Sequence, residues 1–344
     1  MADPAAGLGR LKRIALARAQ PLFALLELTY ACSWRCVFCC NPRHHDRRGL
    51  GAAEWIAVLD ELRHLGTLSV TLSGGDALAH PAFLEIAGGV RERGLALRIF
   101  TNGSLLDEAL ADRIAALTPL SVELSLHGGR ASTHDRTTGR RGSFSALLRG
   151  LDLLRARAVP LLLKTPLTRL NEGELFLMET LAAERGVPWK VDATLTARDD
   201  GDPLPLRSSA TSAGVERLFR LLARRGRLPD VERRPGEPNC GLGLTALAVD
   251  PEGNVFPCVQ WRAAPIGNVR TARLREVWAA SPVRQQAARA SAAANQALLG
   301  GGAALARFPF CPALALERCG DPTRADEDHL HRAALADRLR AASA

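Results

Sequence analysis

Lysine is nearly missing from this 344-residue chain. Lys12, Lys164 and Lys190 are the only three, although Lys and Arg together number 45 against 36 Asp and Glu. The formal charge of +9 is therefore almost entirely arginine, and it is scattered along the chain. Scattered charge is weak ground for a nucleic-acid or acidic partner. No helix-turn-helix or other nucleic-acid module is visible either. No apolar run approaches the ~18–20 residues that a membrane helix needs. Arg10, Lys12 and Arg13 are not followed by an apolar segment with a small-residue cleavage site, so no export signal is read. The expectation is a cytoplasmic protein with no membrane partner. Aromatic residues make up only 5%, yet 47% hydrophobic and 24% charged is ordinary globular composition. At ~150 residues per domain the length implies two domains, or one large α/β barrel with an appendage.

Cysteine is plentiful. Eight stand at positions 32, 36, 39, 40, 240, 258, 311 and 319. Clustered cysteines in an unexported chain of this length point to metal binding rather than to a disulfide framework. They form two sets, one near the N-terminus and one in the last third.

Between residues 22 and 195, apolar strand-like runs alternate with helical patterns. The strands expected are Leu22–Thr29, Leu68–Ser73, Leu95–Thr101, Leu120–Leu126, Val159–Thr165 and Val187–Leu195. The helices expected between them are Ala53–His64, Pro81–Arg93, Asp107–Leu117, Phe144–Ala158 and Glu172–Arg185. Continuously apolar strands separated by helices mean parallel βα units buried on both faces. Eight units do not fit before residue 200, but a partial (β/α)6 TIM barrel does. The fold class expected is α/β: that barrel plus a small C-terminal α+β domain. The divisions expected are a basic segment at 1–21, the barrel at 22–200, and a linker with a helix at 201–236. A cysteine domain at 237–325 and a surface helix at 326–344 complete the chain. No internal repeat appears beyond the βα period.

Cys32, Cys36 and Cys39 are spaced C-x3-C-x2-C in the loop leaving the first strand. Three thiolates on one short loop can hold three irons of a [4Fe–4S] cube and leave the fourth iron open. A structural zinc site is the rival, with His44 or His45 as the fourth ligand. Cys40 is surplus to either scheme and reads as a buried hydrophobe or a spare thiol. Further along, Gly74-Gly75-Asp76 ends the second strand and Thr101-Asn102-Gly103 the third. Ser125-Leu126-His127-Gly128 ends the fourth, and His134-Asp135-Arg136-Thr137-Thr138-Gly139 follows it. Active residues at strand C-terminal ends are what barrel architecture favours.

This ordered set resembles the radical S-adenosylmethionine (SAM) enzymes. The resemblance implies a SAM-binding [4Fe–4S] cluster on Cys32, Cys36 and Cys39. It implies that Gly74, Gly75 and Asp76 hold the SAM amino group, Asp standing where the family has Glu. Phe38 is expected near the adenine, and Asn102 and Ser125 as polar contacts to SAM. His127 replaces the family's Asp in Ser-Leu-Asp-Gly. The implied chemistry is one-electron reduction of SAM to methionine and a 5′-deoxyadenosyl radical, which abstracts hydrogen from a substrate. The protein's share is positioning and a dry cavity.

The second set begins C-x12-G-x4-C, from Cys240 through Gly253 to Cys258, and closes C-x7-C with Cys311 and Cys319. Leu247–Val249 and Val255–Cys258 read as a hairpin turning at Gly253. This half resembles the SPASM/twitch extension of peptide-modifying radical SAM enzymes. A full SPASM domain has seven cysteines; four imply one auxiliary [4Fe–4S] cluster on Cys240, Cys258, Cys311 and Cys319. A four-cysteine zinc site fits the same spacing.

The reading carried forward is a radical SAM oxidoreductase modifying a side chain of a ribosomally made peptide. Crosslinking, thioether formation, epimerisation, decarboxylation or another oxidation are the candidate outcomes. The expected partners are a peptide or protein substrate and an electron donor such as flavodoxin or ferredoxin. A radical SAM dehydrogenase acting on a small metabolite is the second reading, and a zinc-binding nucleic-acid regulator a distant third. Asp192 and Asp250 are the candidate acid–base carboxylates. His127 and His134 read as cavity-facing residues at the strand end and loop. The arginine groups (Arg43, Arg47, Arg48; Arg140, Arg141; Arg224, Arg225, Arg227) read as solvated faces. Residues 8–18 read as a basic helix. The segment before residue 22 is too short for a separate peptide-recognition domain.

Overall fold

The computed structural model describes residues 4–41 and 49–342. His44, His45, Arg43, Arg47 and Arg48 lie outside the described residues. Helix α1 (Pro4–Arg18) leads to strand β1 (Phe23–Thr29), α2 (Ala52–His64) and β2 (Ser69–Gly74). Then come α3 (Phe83–Glu92), β3 (Ala96–Thr101), α4 (Glu108–Ala116) and β4 (Ser121–Ser125). Two helices, α5 (Ala131–Thr138) and α6 (Ser143–Ala156), precede β5 (Leu161–Pro166). Next are α7 (Leu175–Glu184), β6 (Trp189–Asp192) and α8 (Ser212–Arg224). All six expected strands form, each within two residues of its expected start, although β6 stops three residues before Leu195.

Strands β1 to β6 pair in parallel and in sequence order. They form the expected partial barrel, open rather than closed. One face of each strand is the shared core: Leu26 and Leu28, Val70 and Leu72, Leu97 and Ile99, Val122 and Leu124 are all buried. Leaving water stabilises each such side chain by roughly 1.5–3 kcal/mol. The other face carries Glu27, Ser73, Phe100, Glu123, Lys164 and Lys190, a polar lining that a closed and filled barrel would not accept.

The C-terminal third continues the same sheet. Strand β7 (Ala246–Val249) pairs in parallel with β1, and β8 (Asn254–Phe256) and β9 (Gly267–Asn268) follow it antiparallel. The expected hairpin is there, with Gly253 at φ +86° in its turn. Its first strand is also a seventh barrel strand, so the cysteine region and barrel share both sheet and core. Helices α9 (Leu274–Ala280), α10 (Pro282–Gly300), α11 (Ala303–Ala306), α12 (Pro312–Cys319) and α13 (Glu327–Ala341) complete the chain. Gly300 ends α10, Gly301 is its C-cap and Gly302 is the N-cap of α11. A second small core of Leu242, Trp261, Ala287, Ala290 and Ala313 packs beneath Cys258 and Cys311. No helix among the described residues is long and apolar enough to cross a membrane.

Candidate active site

The loop after β1 carries Cys32, Cys36 and Cys39, and helix α5 holds it in place. The amides of Arg35 and Val37 donate to the carbonyls of Thr138 and Thr137, at 2.8 and 3.0 Å. Trp34 is buried and meets the rings of His134 and His127 edge-on, with centroids 5.3 and 5.9 Å apart. Helix α5 is itself fixed at both ends. Glu174 accepts from the Gly129 and Arg130 amides and from the Thr133 hydroxyl, while Asp135 accepts from Gly142 N, Ser143 Oγ and Phe144 N. The sequence marked His134–Gly139 by its motif but did not expect a helix there, and gave Glu174 no role beyond its own helix.

The end of β2 closes against this loop. Gly75 N donates to Thr29 O at 2.7 Å and Asp76 N to Ala31 O at 3.0 Å. A Cβ at Gly75 would lie 2.5 Å from the carbonyl oxygens of Tyr30 and Ala31, and one at Gly74 would strike the Thr29 carbonyl. Both positions therefore exclude a side chain.

Asp76, which the resemblance assigns to the SAM amino group, is held by hydrogen bonds. Its carboxylate is buried; Oδ1 accepts from Thr101 Oγ1 at 2.8 Å and Leu78 N at 3.1 Å, and Oδ2 from Asn102 N at 3.3 Å. Burial pushes it up to about 6, and the hydrogen bonds oppose that rise. These bonds make Asp76 a tie between the β2 and β3 exits. It thereby places Asn102, whose Nδ2 lies 3.5 Å from Cys32 Sγ and 3.4 Å from Ser33 Oγ.

Above the strand ends lies a cavity of about 460 Å³. Cys32, Cys36 and Cys39 line it together with Phe38, Gly74, Gly75, Asn102, Ser125 and His127. Cys40 also lines it and is exposed rather than buried. Desolvation raises all three motif thiols, so iron entering there must displace protons. Phe38 meets His127 edge-on at 4.8 Å. Burial holds His127 neutral, and its Nδ1 has no hydrogen-bond partner. His134 is absent from the wall; its ring bonds Ser143 Oγ and the Ser125 carbonyl. The cavity floor carries two of the chain's three lysines. Lys164 Nζ sits 3.2 Å from Glu123 and 3.7 Å over the Phe100 ring, and Lys190 stands opposite it on β6.

A second chamber of about 500 Å³ adjoins the first; Lys190, Asp192, Thr194, Thr196 and Gln260 line both. Asp192 is thus at the junction, exposed, with Thr194 N on its Oδ1. Asp250 is elsewhere. It is buried in the β7–β8 turn, accepting from Glu252 N, Asn254 N and Asn254 Nδ2, which corrects its candidacy as an acid–base group.

Cys240, Cys258 and Cys311 gather near the second chamber, close enough for their thiols to interact electrostatically. Ser291 of α10 holds Cys240, its Oγ accepting from Cys240 N at 3.0 Å. Cys319 is not with them. Cys311 is the N-cap of α12 and Cys319 its last residue. Eight helical steps place their Cα atoms ~12 Å apart along α12. No three His, Cys, Asp or Glu side chains among the described residues converge on a single metal ion. Three thiols around a roomy cavity suit a cluster with an open position.

Fold and site together define an iron–sulfur enzyme built on a partial barrel. Residues 26–176 match the radical SAM superfamily, and residues 240–298 match SPASM, an iron-sulfur cluster-binding domain. The chain is 31% identical over 283 residues to a PqqA peptide cyclase of Methylocella silvestris, spanning 76% of this chain and 75% of that protein. It is 30% identical over 276 residues to the PqqA peptide cyclase of Ruegeria pomeroyi, spanning 75% and 74%. The chain belongs to the radical SAM superfamily, in its SPASM-bearing branch. SAM, a [4Fe–4S] cluster and auxiliary iron–sulfur ligation are the cofactors of that family. The fold is shared with Streptococcus suis SuiB bound to precursor peptide SuiA, at TM-score 0.64 and 15% identity over 83% of this chain and 72% of that one. It is shared also with anSMEcpe bound to AdoMet, at TM-score 0.67 and 14% identity over 94% and 96%.

Proposed function

We propose that this chain is an oxidoreductase that uses SAM-derived radical chemistry to modify a side chain of a ribosomally made peptide. The observation that carries the substrate class is the pair of joined chambers, about 460 and 500 Å³. Two spaces in series suit an extended chain segment better than a compact metabolite. The relatives point the same way, being named for a peptide substrate.

When bound at the first site, cluster and SAM supply a 5′-deoxyadenosyl radical by one-electron reduction. The remaining roles belong to this chain. Cys32, Cys36 and Cys39 are the proposed iron ligands. The Gly74–Gly75 backbone, Asn102 and Ser125 are the proposed polar contacts to SAM, and Phe38 the apolar one. Asp76 positions Asn102. Asp192, exposed at the junction of the chambers, is the proposed carboxylate for moving a substrate proton. Cys240, Cys258 and Cys311 are the proposed ligands of one auxiliary cluster. Flavodoxin or ferredoxin in the cytoplasm is the proposed electron source.

The test is anaerobic incubation of the reconstituted enzyme with SAM, dithionite and a short peptide encoded beside its gene. The expected result is 5′-deoxyadenosine together with a peptide lighter by hydrogen or otherwise changed in mass. SAM cleavage with every such peptide unchanged, and a small metabolite consumed instead, would contradict the substrate class. Asp192→Asn should keep iron and SAM binding while product formation falls about 10²-fold or more, the scale of a lost acid–base group.

A further inference from the structure

Lys190 is the cation that the two chambers leave unpaired. Every other lysine or arginine in their walls faces a carboxylate. Lys164 lies 3.2 Å from Glu123, Arg318 3.1 Å from Asp326 and Arg332 2.8 Å from Asp328. Arg324 interacts electrostatically with Asp321. The ammonium of Lys190 has neither an ion pair nor a hydrogen bond among the described residues.

Strand β6 explains where that ammonium goes. Alternate residues of a strand share a face, and Trp189 and Val191 pack into the core. Lys190 and Asp192 therefore take the other face, and both line both chambers. Two residues of strand span only ~7 Å, yet no ion pair joins the two side chains. An open cavity lets water solvate Lys190, which is exposed. An occupant filling both chambers expels that water, and a desolvated ammonium is costly unless the occupant brings an anion. Until then the field of the unpaired charge draws anions to the junction. The wall of the second chamber includes none of Cys32, Cys36 and Cys39, so Lys190 stands on the side of the cavity that leads away from the first cysteine set.

We infer that Lys190 is a specificity-determining residue: its ammonium binds the side-chain carboxylate of an aspartate or glutamate in the substrate peptide, at or beside the residue being modified. The inference rests on the peptide-modifying reading and adds to it the charge that the peptide must carry. Asp192, two residues further on, then stands beside the same segment.

The test uses the reconstituted enzyme with SAM, dithionite and the peptide encoded beside its gene. Each Asp and Glu of the peptide is replaced singly by its amide, and the C-terminus is amidated in a further peptide. Lys190→Met should raise KM for the peptide about 10–100-fold, the range of one charge-assisted hydrogen bond, with little change in kcat and none in KM for SAM. One amide substitution should raise KM equally in wild type and have no further effect in Lys190→Met. Lys190→Glu should be rescued by the peptide carrying Lys at that position. A rise in KM for SAM instead would give the ammonium to the SAM carboxylate, and an effect confined to the C-terminal amide would give it to the chain end. Either result overturns the proposal, as does an unchanged peptide KM in Lys190→Met. If the Lys190 variants fold poorly, the amide series in wild type still decides, because no effect from any amide overturns the inference. In all these cases wild type still modifies the peptide and the underlying reading survives. Wild type that cleaves SAM and leaves the peptide unchanged would overturn both.

Discussion

Gly75 has no room for a methyl group. The obstruction is backbone, the carbonyls of Tyr30 and Ala31, so no side chain can turn aside to relieve it. Gly75→Ala should therefore displace the Cys32–Cys39 loop and lower bound iron from about eight to about four per chain. Gly88→Ala, on an open face of α3, should leave the count unchanged. Iron and sulfide assay with circular dichroism checks both. His134 gives a second prediction at this scale. Burial holds its pKa down to about 4, against 6.5 for a free imidazole, so the folded state binds fewer protons between those values. The stability it contributes is fully present above about pH 6.5 and is lost as pH falls toward 4. Denaturant midpoints at pH 5 and 7.5 should converge in His134→Gln relative to wild type; equal pH slopes would contradict this. The sequence made the glycine pair, the motif cysteines and His127 legible because each belongs to a local pattern. It could not reveal that Asp76 ties β2 to β3, because its partners Thr101 and Asn102 come from the next strand. Asp250 likewise looked free in the sequence, whereas the amides of its own turn occupy it.

At the level of elements, one buried ion pair joins β1 to the cysteine region. Arg262 sits 2.7 Å from Glu27 and 3.5 Å from Asp199, its guanidinium over the Phe256 ring. Glu27 Oε2 finds no partner, so burial outweighs the Arg262 charge and raises Glu27 to about 7. The folded state thus binds more protons than the unfolded one between about pH 4.5 and 7. The stability contributed by this group is present below about 4.5 and is lost as pH rises through 7. Glu27→Gln should flatten that limb in a urea titration across pH; an unchanged limb would contradict the assignment. Arg262→Ala, which leaves two carboxylates facing one another, should cost about 3–5 kcal/mol in the same assay. Six strands were readable from their apolar runs, since one face of each packs into the shared core. The pairing of β7 with β1 was not readable, because a four-residue strand carries no mark of its partner. Helix α12 has a Pro312 start and a Gly320 stop, but its eight residues are too few for a clear 3.6-residue apolar period.

Across the whole molecule, a single sheet carries both cysteine sets, and the two chambers meet between them at Lys190, Asp192 and Gln260. Two lysines in this cavity system, in a chain with three, make composition meaningful only after folding. The account depends most on Cys32, Cys36 and Cys39 binding the cluster that activates SAM. The direct measurement is 5′-deoxyadenosine formation under anaerobic reduction, with EPR of the reduced protein before and after SAM, in wild type and in the Cys32/Cys36/Cys39 triple alanine variant. The account predicts product and a SAM-dependent spectral change in wild type. In the variant it predicts neither, with an iron content of about four rather than about eight. A variant that still cleaves SAM, or a wild type that holds zinc and no iron, would contradict it.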